Sequence, residues 1–71
     1  MELSEVPRVS SLPGGYRTLG YFQEMQTELG AMFDYYGARI WIPKRALLWC
    51  MGRFHAPKWA VESAKRFAEK R

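Results

Sequence analysis

Tyr35-Tyr36-Gly37-Ala38-Arg39-Ile40-Trp41-Ile42-Pro43 sets a turn directly ahead of a strand. Tyr35 to Ala38 carries the turn, and Arg39 to Ile42 alternates and is rich in β-branched and aromatic residues, which fit a pleated surface. Pro43 ends the strand because proline cannot donate to a central ladder. Alternation puts Ile40 and Ile42 on one face and Arg39 and Trp41 on the other. The pattern predicts a hairpin that joins Met32–Tyr35 to Arg39–Ile42.

The segment before the hairpin reads two ways. Leu19, Phe22, Met25, Leu29, Met32 and Phe33 recur at helical spacing, and Thr18 is a possible cap for a helix over residues 18–29. Gly20 and Gly30 would then sit inside the helix, at about 1 kcal/mol each. The same aromatic and glycine content suits two strands with a turn around Thr27–Gly30. Further upstream, Pro7, Ser10, Ser11, Pro13, Gly14 and Gly15 break any period, so residues 1–15 read as a flexible arm and residues 16–71 as one domain.

After the hairpin, Lys44 to Trp49 reads as a helical turn or a connection, and Met51 to His55 as a last strand. The C-terminus reads as a helix over residues 57–70. Pro57 suits its first position, where a missing N–H costs nothing. Ala60, Val61, Ala64 and Phe67 form a stripe of period 3.6 that should pack on the sheet, with Trp59 capping the core at the stripe's edge. Glu62 and Arg66 are spaced as an i,i+4 ion pair on the outer face, and Lys70-Arg71 suits the negative end of the helix dipole.

Composition bounds the class. The chain has 71 residues, 48% hydrophobic and 15% aromatic, which is enough apolar area for a small folded domain. Cys50 is the only cysteine and His55 the only histidine, so neither an internal disulfide nor a structural zinc site of about four Cys or His ligands is available. That points to a reducing compartment, with the cytoplasm as the default. The longest apolar run, Ala46 to Met51, is far short of the roughly 20 residues needed to span a bilayer. Charge is distributed unevenly. Two arginines against five acids give residues 1–36 a charge of −3, and nine cations against two acids give residues 37–71 a charge of +7, for the total of +4. Such an asymmetry is the footprint of one basic face, and a solvated surface with a basic tail is its plain alternative.

Two patterns carry a resemblance. Thr27, Glu28, Ala31, Met32 and Phe33 followed by Trp41-Ile42-Pro43-Lys44, and later Pro57, Trp59 and Ala60, resemble small uncharacterised proteins encoded by bacteriophages and mobile elements. Those have an apolar strand after Thr-Glu, a Trp-Ile/Leu-Pro-Lys strand end and a Pro-x-Trp-x-Ala helix start. The likeness covers roughly residues 25–62 and departs at Arg45, where those proteins carry a small polar residue. It implies a short curved sheet, closing toward a small barrel, with a C-terminal helix, and it favours strands over residues 16–36. It brings no activity. The expected fold is therefore α+β: three or four strands in a curved antiparallel sheet, barrel-like at its extreme, plus one C-terminal helix.

Catalytic inventories fail. On a single strand, the odd spacing of Cys50 and His55 would put their side chains on opposite faces, leaving a packed thiol and a surface histidine. No carboxylate sits in an apolar segment that would tune it as an acid or base. Pro13-Gly14-Gly15 lacks the Lys-Ser/Thr of a phosphate-binding loop. No enzymatic role and no cofactor are expected. Cations interleaved with aromatics remain: Arg39, Trp41, Lys44, Arg45, Arg53, His55 and Lys58 are the candidate partner-binding residues. Such an array can neutralise phosphates and stack a base on an indole. The expected function is a non-catalytic module for nucleic acid or a nucleoprotein complex. A protein-binding inhibitor or adaptor (for example a counter-defence protein) and a structural subunit are the alternatives.

Overall fold

The computed structural model describes residues 6–20 and 25–69. The chain runs β1 (Tyr16–Gly20), β2 (Met25–Gln26), β3 (Gly30–Tyr35), β4 (Ala38–Pro43), a 3-10 turn (Lys44–Ala46), β5 (Leu48–Cys50), β6 (Arg53–Pro57) and α1 (Lys58–Glu69). The strands form two antiparallel sheets, ordered β1-β6-β5 and β2-β3-β4. The fold is α+β as expected, but the sheet is divided in two and is not closed into a barrel.

The first hairpin forms where the alternating pattern puts it. β3 pairs with β4 from Gly30↔Pro43 to Tyr35↔Ala38. Its turn residues, Tyr36 and Gly37, have φ of 52° and 84°, and a second two-residue turn at Met51 and Gly52 (φ 53° and 79°) joins β5 to β6. Positive φ at both central positions is the backbone of the type I′ hairpin, whose twist matches that of the strands. Asp34 fastens the first turn, its Oδ1 accepting the Gly37 N–H at 2.9 Å. Residues 16–20 and 25–26 are strands, so a helix over residues 18–29 is overturned; residues 21–24 of that expectation lie outside the described ones. The turn near Thr27 is held by its own hydroxyl, which accepts the Leu29 N–H at 3.2 Å.

The core lies between the sheets. Phe33, Ile40, Ile42 and Leu47 are completely buried. Phe33 of one sheet meets Phe54 of the other edge-on, with ring centroids 5.6 Å apart, and Trp49 meets Phe54 at 4.6 Å. Rings at these separations and tilts gain from quadrupole alignment as well as from burial.

The outer edge of the β1-β6-β5 sheet is occupied at β5. Of the stretch read as an arm, residues 7–9 run beside β5: Trp49 N–H donates to the Pro7 carbonyl and Val9 N–H to the Trp49 carbonyl, both at 2.9 Å. Val6 is buried in the core cluster. The opposite sheet's last strand, β4, packs against α1. The 3-10 turn transfers the chain from one sheet to the other, and Lys44 N–H donates to the Leu29 carbonyl at 2.8 Å.

Pro57 closes β6 opposite Tyr16, so the helix begins one residue later than expected. The Lys58 N–H, one of the helix donors without an intrahelical partner, donates to the Gly15 carbonyl at 2.8 Å. Ala60 and Val61 are buried as expected, but Phe67 and Trp59 are not: they remain 68% and 61% exposed. Trp59 and Phe67 stand at the margin of the buried stripe and face the open side of β4 instead of the core. Glu62 pairs with Lys58 at 3.8 Å, an exposed contact worth a few tenths of a kcal/mol. Lys70 and Arg71 lie outside the described residues. No helix among the described residues is long and apolar enough to cross a membrane.

Candidate binding groove between β4 and α1

The sheet face turned away from the core, together with α1, forms an open groove of about 450 Å³. Such a volume falls within the range of ligand clefts, about 300–1,000 Å³. β4 supplies Arg39, Trp41 and Pro43, and Met32 of β3 stands directly across from Trp41. The alternation that buries Ile40 and Ile42 necessarily turns Arg39 and Trp41 this way. Arg45 enters from the 3-10 turn. From the helix, Trp59, Ser63 and Phe67 recur every four residues along one wall, with the small side chains of Ala60, Ala64 and Ala68 beneath them.

Gly30 seats one of the indoles. A Cβ there would lie 2.9 Å from Cζ2 of Trp41, 2.8 Å from Cα of Pro43 and against the Ile42 carbonyl oxygen. With hydrogen in that place, Trp41 lies down on β3 and is half-buried. Arg39 stands opposite Asp34 in the β3–β4 ladder, which lowers the net positive potential at that end.

The expected site residues therefore divide. Arg39, Trp41 and Arg45 come together on the groove. Lys44 neighbours Arg45 but does not line it. Arg53 is exposed beside the Met51-Gly52 turn, and Lys58 is engaged with Glu62. His55 is not on the surface but 8% exposed. Its Nε2 lies 3.1 Å from the Cys50 carbonyl and its Nδ1 3.2 Å from the Thr18 hydroxyl. A carbonyl only accepts, so Nε2–H donates, and in the neutral ring Nδ1 accepts from Thr18. His55 thus ties β1, β6 and the end of β5 together and has no face left for a partner.

The hairpin also revises the relation of His55 to Cys50. The two are on neighbouring strands, and the register Leu48↔His55 puts their side chains on one face. The imidazole meets the cysteine's carbonyl, and the thiol is buried. The helix wall was missed from sequence, because Trp59 and Phe67 sit at the edges of the apolar stripe. Their spacing with Ser63 at i, i+4, i+8 was the available signal.

A scan against family models, a search of curated proteins and a search of solved structures each found no match for this chain.

Proposed function

We propose that this chain is a small non-catalytic binding module that engages nucleic acid through the groove between β4 and α1. The observation that supports this reading is the convergence of two indoles from different elements, Trp41 and Trp59, with two arginines, Arg39 and Arg45, on one concave surface. Guanidinium groups neutralise phosphates and release counterions, and indole faces accept bases of any sequence. The excess of positive charge in residues 37–71 adds a long-range attraction for polyanions. The resemblance to small phage and mobile-element proteins suits such an accessory role and brings no activity of its own.

A second reading rests on the apolar floor made by Met32, Pro43, Ala60 and Ala64. It is an inhibitor or adaptor that takes an acidic, amphipathic protein segment. Salt dependence separates the two. Fluorescence anisotropy with labelled single- and double-stranded DNA and RNA should show affinity falling log-linearly with salt, and R39E/R45E should abolish it. Failure of every nucleic acid to bind at low salt overturns the first reading and leaves the groove to a protein partner.

A further inference from the structure

We infer that the groove takes unpaired nucleotides, with a base stacked against the Trp59 indole and the adjoining phosphates held by Arg39 and Arg45. This deepens the nucleic-acid reading and rests on it.

Exposure is the first argument. Trp59 is 61% exposed and Phe67 68% exposed, although each has a large apolar face whose burial would be favourable. Both stand on the same wall of the groove, two helical turns or about 12 Å apart along the axis. A strand lying along α1 would pass from one ring to the other. Shape is the second. In a duplex the base faces are covered by their neighbours, so aromatic rings in a recess have nothing to stack on. A duplex is held largely at its phosphates, and the residues α1 turns to the groove, Trp59, Ser63 and Phe67, carry no charge. Charge is the third. Arg39 and Arg45 reach the groove from the sheet side, opposite the aromatic wall. A single strand has this same division, with phosphates along one edge and bases along the other.

The experiment uses the full chain and short oligothymidylate and oligouridylate, the same lengths as duplex, and an abasic oligomer with the same phosphate count. Intrinsic tryptophan emission should be quenched by either single strand. The single strands should bind more tightly than duplex or abasic chains, and the deoxy and ribo forms tell whether the 2′-hydroxyl contributes. Because the Trp59 ring is largely in water, W59A should fold normally. It should lose about tenfold in affinity, as removal of one stacked base implies, with the salt slope unchanged. R45A should instead reduce the slope by about 0.7. Equal binding of the abasic chain, preference for duplex, or W59A binding like the parent would each overturn the stacking inference while leaving the polyanion reading in place. If no nucleic acid binds at low salt, both readings are overturned.

Discussion

Single residues here do work that their type alone would not suggest. Gly30 lies in a strand, where glycine is usually a weakness, yet any side chain would strike the backbone of Ile42 and Pro43 as well as Trp41. Backbone neighbours cannot rotate aside, so G30A should destabilise the fold by about 1–3 kcal/mol. A urea titration would show a lowered midpoint with an unchanged slope, and a shifted tryptophan emission would report the displaced Trp41 ring. His55 is a second case. H55F keeps a planar ring but leaves the buried Cys50 carbonyl without its imidazole donor, a loss of about 1–3 kcal/mol. Its oligonucleotide affinity, measured while folded, should match the parent. A selective loss of binding in H55F would show that the histidine reaches the partner after all.

At the scale of elements, the hairpins were legible to different degrees. β4 could be read because its period is strict and Pro43 punctuates it; burial of Ile40 and Ile42 with exposure of Arg39 follows that reading residue for residue. β5 was not legible. Leu48 to Cys50 sits in a continuous apolar run, which carries no period to read. The two type I′ turns carry a non-glycine residue at their first position, Tyr36 and Met51, in a left-handed conformation that costs L-residues with a Cβ about 1–2 kcal/mol. Asparagine tolerates that backbone far better. Met51 is 88% exposed, so no packing is lost on replacing it. M51N should therefore raise the urea midpoint, by up to about 1 kcal/mol of stability; an unchanged or lowered midpoint would show that the turn is not strained there.

For the whole molecule, the arrangement of charge matters more than its sum. Two of the expected cations, Arg39 and Arg45, share the groove with the indoles, and Arg53 stands at a hairpin end away from it. R53E should consequently weaken binding of an oligonucleotide through the general field only, an effect that disappears as salt rises above about 0.15 M, where the Debye length is near 8 Å. R45E should weaken it at every salt concentration at which binding is measurable. Anisotropy titrations of both variants over a salt series check this. Identical salt profiles for the two would mean that contact is spread over the surface and not concentrated at the groove.

The β3–β4 hairpin and the C-terminal helix followed from local rules acting within a few residues: alternation, a proline stop and a 3.6-residue stripe. So did the uneven charge, which needs only counting. The groove did not, because it exists only where α1 packs beside β4 and leaves Trp59 and Phe67 facing outward. Neither the division into two sheets nor the burial of His55 was available locally, since each depends on partners far apart in the chain: β1 on β6, and Thr18 on His55. Side chains at the margin of an amphipathic stripe are assigned to core or water by where the neighbouring element lies against the helix. That is a tertiary quantity, and here it set the aromatic wall opposite the arginines.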